Sequence, residues 1–361
     1  MTNILVIGAG KIGETIAYLL KQSGKYNVLL ADNNPQLLNN AKNDGIETTE
    51  LNVQDTNALK QLLEKNEYVI SALPYFLNID VAKTAALTKT HYFDLTEDVN
   101  VTNTIREIAA TAEVSFMPQC GLAPGFIGIA AHDLTKEFAK LHTVKLRVGA
   151  LPRFPTNKLK YNLTWSTDGL INEYIHPCNA IVNGEKMTVP ALEGYENFIL
   201  EGVEYEAFNT SGGLAYLAEF LEGRVQNLDY KTIRYKGHLD IIKLLFNDFH
   251  LKDDIKLLKQ IFERSIPVSY QDMVLVFISV SGEMNGQFIE KIFTRTVFSQ
   301  DVHKKHFTAI QLTTAGSVCA VVDLHVNKQL PQKGFIRQGD VDFKEYKVND
   351  FVKYYDHNIH F

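Results

Sequence analysis

Ile4-Leu5-Val6-Ile7-Gly8-Ala9-Gly10-Lys11-Ile12-Gly13, with Val28-Leu29-Leu30-Ala31-Asp32 further on, sets out a buried strand, a glycine turn, a helix and a second strand ending in an acid. Each glycine has a separate task. Gly8 allows the tight turn, Gly10 lets backbone N–H groups approach a pyrophosphate with no Cβ between, and Gly13 lets helix and strand pack closely. The helix, read over 14–22, offers its positive end to the phosphates, and Lys11 and Ile12 just ahead of it are expected to border the coenzyme. Asp32 stands about twenty residues past the last glycine, where a carboxylate accepts from ribose hydroxyls. A 2′-phosphate beside that carboxylate would meet repulsion of about 1 kcal/mol or more. Asn33 and Asn34 follow, so no arginine compensates. The residues therefore point to NAD, with NADP the weaker expectation.

A chain of 361 residues is too long for one typical core, so two domains are expected. A net charge of −6 with no long basic run argues against nucleic acid as a partner. No apolar run reaches the roughly eighteen residues expected of a membrane span. Cys120, Cys178 and Cys319 lack metal-ligand spacing, which supports neither a metal site nor a disulfide framework. With no basic-then-apolar leader ahead of the first strand, the expected compartment is a reducing cytoplasm.

Beyond Asp32 strand and helix signals alternate, which argues for a doubly wound parallel sheet covered by helices on both faces. A third strand is expected over 46–51, with Asp55 opening a helix over 57–64. The fourth runs over 68–74, the fifth over 91–96 and the sixth over 114–118. Ligands bind outside the carboxyl ends of strands in such sheets. Ser71, Ala72, Leu73 and Pro74 should therefore border the coenzyme, as should Gly121 in the turn that precedes a helix over 127–141. From Val144 the pattern changes: strands over 145–151, 272–280 and 291–298 suit a mixed or antiparallel sheet, with helices over 214–221, 239–247 and 255–264 between them. The expected division is a dinucleotide-binding domain over 1–126 completed by a helix near 306–330, a substrate and dimerisation domain over 127–305, and a C-terminal extension over 331–361. A homodimer through the sheet-rich domain is expected.

Four separated segments carry a family likeness: Ser71-Ala72-Leu73-Pro74-Tyr75, Cys120-Gly121-Leu122-Ala123-Pro124-Gly125, Tyr161-Asn162-Leu163-Thr164-Trp165-Ser166 and Thr232-Ile233-Arg234-Tyr235-Lys236-Gly237-His238. In this order, with Val148-Gly149-Ala150-Leu151-Pro152 and 169–174, the chain resembles the saccharopine dehydrogenase and lysine 6-dehydrogenase family over most of its length. The resemblance implies a Rossmann-like first domain, a second α/β domain carrying an amino-acid substrate, and hydride exchange at a carbon bearing nitrogen. Saccharopine reductases of this family usually carry aspartate where this chain has Ala123, and they often use NADP. That departure and Asp32 lean toward lysine 6-dehydrogenase, with NADP-linked, L-glutamate-forming saccharopine dehydrogenase as the alternative and a non-catalytic NAD sensor as a third reading.

Oxidising an amine needs the nitrogen lone pair, and holding a lysine amine neutral at pH 7 costs roughly 4.6 kcal/mol. A base or a desolvating pocket must offset much of this. Asp94, near the end of the fifth strand, is the first candidate base, or else it caps the following turn. Glu97 could share the task. His238 is a candidate proton shuttle or merely starts a helix. Arg234 is the candidate two-pronged clamp for an α-carboxylate, Arg153 is its rival, and an internal salt bridge is the competing account for either. Cys120 could touch nicotinamide or substrate, but as a small packing residue more readily than as a nucleophile. Trp165 and Tyr161 offer an apolar wall for a four-carbon side chain, or simply core.

Overall fold

Short apolar runs alternate with helices along the first third of the chain because the inner runs, such as 4–7 and 68–71, are buried on both faces and each helix on one. The computed structural model describes residues 1–356. Its first elements are β1 (Thr2–Ile7), α1 (Lys11–Gln22), β2 (Tyr26–Asp32), α2 (Pro35–Asn43), β3 (Glu47–Glu50), α3 (Thr56–Leu63), β4 (Tyr68–Ser71), α4 (Asn78–Thr88), β5 (His91–Asp94), α5 (Val99–Thr111) and β6 (Ser115–Met117). There follow α6 (Phe126–Thr135), β7 (Lys140–Pro152), α7 (Thr167–Ile175), β8 (Cys178–Val182), β9 (Glu185–Val189), β10 (Glu196–Leu200), β11 (Val203–Asn209), α8 (Leu217–Leu221), β12 (Asn227–Tyr235), α9 (His238–Lys243) and α10 (Ile255–Ser265). The last are β13 (Asp272–Met284), β14 (Gln287–Phe298), β15 (Gln300–Val302), β16 (Lys305–Phe307), α11 (Ala309–Val326), β17 (Gly334–Phe335) and α12 (Phe343–Lys347).

Among the described residues the chain forms two compact units, one of Met1–Ile129 with Gln311–Tyr354, the other of Ala130–Ile310 with residues 355 and 356. In the first, parallel strands lie in the order β3-β2-β1-β4-β5-β6-β17. The order reverses between β1 and β4, which opens a crevice at their carboxyl ends. Ile4, Leu5, Val6 and Ile7 are all fully buried, which explains an apolar run without alternation. On one face Leu5, Ile7, Val69, Tyr92 and Phe116 pack with Leu59, Val81, Ile105 and Ala109 from the helices.

Residues 331–354 are not a separate extension as expected. They belong to the first unit: β17 adds to β6, Ser115 Oγ donates to Pro331 O at 2.7 Å, and Gln338 Nε2 donates to Gln119 O at 3.0 Å. The expectation that no segment is long and apolar enough to span a membrane is also corrected. Helix α11 has 18 residues and passes that test by length and composition, with 83% of it buried inside the fold. The helix expected over 127–141 ends at Thr135 because β7 starts at Lys140, and the helix expected from 306 begins at Ala309 because Lys305–Phe307 pairs with β15.

In the second unit the sheet order is β10-β11-β12-β7-β13-β14, with β8 joining β12 and pairing with β9. The central strand β7 runs parallel to β12 and antiparallel to β13. One apolar cluster holds Tyr161, Tyr174, Phe208, Leu239, Phe246 and Phe262. A separate cluster holds Leu151, Phe198, Ile233 and Leu275. The sheet curls far enough that Phe198 of β10 meets Phe277 of β13 at 5.0 Å between ring centroids, with three strands between them in the order. Within the curl Arg147, fully buried, pairs with Asp229 and Glu196, each at 2.8 Å.

Candidate functional site

In the first unit the glycine turn is built as its spacing requires. Gly8 has φ +102, and a Cβ there would lie 2.7 Å from Ala72 O. A Cβ on Gly13 would lie 1.7 Å from Gly8 O and 3.1 Å from the Ala72 Cβ. Gly10 differs, since a Cβ on it would meet nothing within 4 Å. Gly8 and Gly13 are thus demanded by the fold, whereas Gly10 borders open space.

Helices α2, α3 and α5 begin under side-chain caps from Asn34, Asp55 and Asp98, but α1 begins at Gly10 with none. An uncapped helix start of this length suits an anion. Asp32 accepts from Ala9 N–H at 2.6 Å and from Asn34 N–H at 2.8 Å, one on each oxygen. Each carboxylate oxygen keeps a lone pair, so ribose hydroxyls can still donate to it. Across the crevice, Ala72 N–H donates to Ile7 O at 2.8 Å, and Ser71 Oγ donates to Asn78 Oδ1 at 2.7 Å. Leu73 reaches the Gly8 turn, and Pro74 caps the short turn that follows β4. Lys11 is exposed and Ile12 half-buried in the first turn of α1, while buried Gly121 opens the turn after β6. These residues fit a dinucleotide.

The acids beyond β5 divide differently from expectation. Asp94 is fully buried, and its carboxylate takes Tyr92 OH at 2.7 Å, Thr96 N–H at 2.9 Å and Gln119 N–H at 3.1 Å. Burial raises its pKa to about 6 against those three donors. It ties the β5 turn to the β6 turn, so the turn-capping account replaces the catalytic one. Glu97 is only half-buried and has its pKa raised to about 7, first by burial and then by the charges of Asp98 and Asp94. Glu97 is therefore the acid–base candidate of this unit. Cys120 is fully buried, its thiol donates to Met117 O at 3.0 Å, and burial beside Asp94 raises its pKa. That is a packing residue, not a ligand contact.

In the second unit Arg234, 2% exposed, donates from Nε to Tyr174 OH at 2.9 Å and from Nη1 to Thr232 Oγ1 at 2.6 Å and Ile233 O at 2.9 Å. Nη2 is left without an acceptor among the described residues. The guanidinium lies 4.9 Å from the Tyr161 ring centroid, and Trp165 Nε1 donates to Tyr161 OH at 3.1 Å. A buried cation resting on a ring still lacks a hydrogen-bonded anion, and a ligand carboxylate would supply one. The two-pronged clamp is corrected to a one-nitrogen anchor, and the internal salt bridge is absent among the described residues.

His238 is not a proton shuttle. It is 1% exposed, Nδ1 faces Leu159 O and Nε2 faces Tyr174 OH, each at 3.0 Å, and burial next to Arg234 pushes its pKa down to about 3. Arg153, half-buried, stacks its guanidinium on Phe298 at 4.8 Å and Phe154 at 5.4 Å. Tyr161 is fully buried and belongs to the core, while Trp165 stays partly open.

Sequence reasoning missed Tyr174, Asn78 and Glu206. Glu206 accepts from Gly237 N–H at 2.8 Å and Leu239 N–H at 2.5 Å, holding the turn at Gly237, where φ is +96. No local signal marks any of the three, since their partners lie 7 to 64 residues away.

Two family models cover the chain: the saccharopine dehydrogenase NADP binding domain over 4–117 and the saccharopine dehydrogenase C-terminal domain over 121–353. Saccharopine dehydrogenase (NADP(+), L-glutamate-forming) of Saccharomyces cerevisiae is 24% identical over 315 residues, 83% of this chain and 68% of the yeast protein. Mitochondrial alpha-aminoadipic semialdehyde synthase of Mus musculus is 24% identical over 248 residues, 65% of this chain but 27% of that protein. Among solved structures, apo saccharopine dehydrogenase (L-Glu forming) from Saccharomyces cerevisiae matches with TM-score 0.79 over 94% of both chains at 18% identity. The DAP dehydrogenase of C. glutamicum matches with TM-score 0.52 at 10% identity over 97% of this chain and 96% of that one. Both likenesses show the fold.

Proposed function

Because the chain belongs to the saccharopine dehydrogenase family, we propose that it is a nicotinamide-dependent oxidoreductase interconverting saccharopine with L-glutamate and aminoadipate semialdehyde. The observation that carries this reading is the match of both family models, 4–117 and 121–353, along nearly the whole chain. The L-glutamate-forming names of the relatives support it over the lysine 6-dehydrogenase expected from the sequence.

A bound nicotinamide would supply hydride transfer to and from the carbon bearing the amine. Gly8, Gly10 and the uncapped start of α1 would hold the pyrophosphate, and Asp32 the ribose hydroxyls. Family model and yeast relative carry NADP in their names, whereas Asp32 favours an unphosphorylated ribose. NAD is the coenzyme proposed, on the charge at that position. Glu97, poised near neutrality, takes the proton that leaves the amine and returns one in the reverse direction. Arg234 Nη2 meets a substrate carboxylate.

The test is reduced-nicotinamide absorbance with saccharopine and, in reverse, with aminoadipate semialdehyde plus glutamate, run with NAD(H) and NADP(H). Turnover that needs glutamate and is at least tenfold more efficient with NAD(H) is expected. Ala123, in place of the aspartate usual in saccharopine reductases of the family, favours a second reading, lysine 6-dehydrogenase. In that case lysine alone would reduce the coenzyme and ammonia would replace glutamate.

A further inference from the structure

We propose that Tyr174 and His238 form a positioning relay that fixes how Arg234 is presented, so that the site takes a carboxylate through Nη2 alone. The proposal rests on the reading of Arg234 as the carboxylate anchor. Tyr174 and His238 are positioning residues, since they act through Arg234.

Atom types force the direction of every link. A guanidinium only donates, so at 2.9 Å the Tyr174 oxygen accepts from Nε. The Tyr174 proton then has one place to go, His238 Nε2 at 3.0 Å. Nε2 must therefore carry a lone pair, the ring proton sits on Nδ1, and it is donated to Leu159 O at 3.0 Å, an atom that can only accept. The chain runs one way, from Arg234 through Tyr174 and His238 to a backbone carbonyl. Tyr174 and His238 are almost fully buried, so water does not compete for these links.

Both hydrogens of Nη1 are taken by Thr232 and Ile233, and the Nε hydrogen by Tyr174. A planar fork with those hydrogens committed has no paired edge to offer. Two diverging N–H bonds on Nη2 remain, which suit one carboxylate oxygen and do not match the parallel bonds of a bidentate clamp. Without the relay, Nε would lose the fixed acceptor that orients it, and Nη2 would no longer be held in one place.

The fold supplies its own reporter. Trp165 is the only tryptophan in the chain, and it donates to the hydroxyl of Tyr161, whose ring lies under Arg234. Saccharopine titrated against Trp165 fluorescence, without coenzyme, reads binding apart from turnover. Tyr174→Phe and His238→Leu should each weaken binding about tenfold, because Arg234 would no longer be held with Nη2 fixed toward the carboxylate. His238→Gln, whose amide oxygen can accept from Tyr174, should stay within about threefold of the parent. Steady-state KM for saccharopine should follow the same order with kcat little changed, and coenzyme Kd should not move in any variant.

Unaltered binding in Tyr174→Phe, or equal loss in His238→Leu and His238→Gln, would overturn the relay while leaving the anchor intact. A parent protein whose Trp165 signal ignores saccharopine, glutamate and lysine would overturn both. Nitrogen-15 NMR of the unmodified protein tests the same point without a variant, with an Nδ1-protonated neutral ring expected and an Nε2-protonated ring excluding the relay.

Discussion

Glu97 and Asp94 stand three residues apart, and solvent access separates their roles. Glu97→Gln should lower kcat by about 10²-fold or more while KM changes little. In the oxidative direction the carboxylate form is needed, so the rate of the parent should rise with pH and level off above about 7. The variant should lose that limb, which a pH–rate profile checks. Asp94→Asn should instead fold, since Oδ1 can keep both N–H donors while Nδ2 faces the Tyr92 hydroxyl. The folded pKa of Asp94 is raised, so its contribution to stability is full below about pH 4 and lost as pH rises through about 6. Relative to the parent, Asp94→Asn should therefore gain up to about 3 kcal/mol between pH 4 and pH 7. His238 has the opposite sign. Its pKa is depressed, so its contribution is present above about 6.5 and lost as pH falls toward 3. His238→Gln should gain about 2 kcal/mol on the parent from pH 7 to pH 5. Urea unfolding at a series of pH values measures both.

The turn between β1 and α1 contains glycines of two kinds that look alike in the sequence. Gly13→Ala would drive a Cβ to 1.7 Å from Gly8 O, a backbone clash that the strand and helix cannot both relieve. Thermal unfolding should show a large loss of Tm or no folded protein. Gly10→Ala meets nothing within 4 Å and has φ −66, which alanine adopts freely. Its Tm should stay within about 2 °C, a small surface effect. Its coenzyme Kd by calorimetry should nevertheless rise at least about tenfold, because the methyl occupies the approach to the helix N-terminus. In β1 the run 4–7 was legible because burial on both faces leaves a continuous apolar signature. The boundary between α6 and β7 was not, since Leu134, Phe138 and Leu141 keep helical spacing past the end of the helix until the strand pairing of Lys140 onward is known.

Unit 1 is discontinuous in sequence, and Met1–Ile129 lacks part of its own core. Within that unit Tyr26 OH donates to Asp323, Tyr68 OH meets His325 Nδ1 at 3.0 Å, and β17 pairs with the edge strand β6. The fragment 1–129 should therefore show no cooperative thermal transition and no coenzyme binding, despite carrying the whole glycine turn and Asp32. Calorimetry of the fragment checks this. The nucleotide-binding half was set by sequence alone, because its signals are local. Three glycines, two apolar runs and an acid within thirty-two residues leave one arrangement for strand, turn and helix. Tertiary structure alone decided that Asp94 is sealed while Glu97 stays near neutrality, that His238 is neutral, and that Arg234 offers a single nitrogen. Charge and hydrogen-bonding state depend on burial and on partners such as Gln119, Leu159 and Tyr174, which lie 25, 79 and 60 residues from the groups they govern.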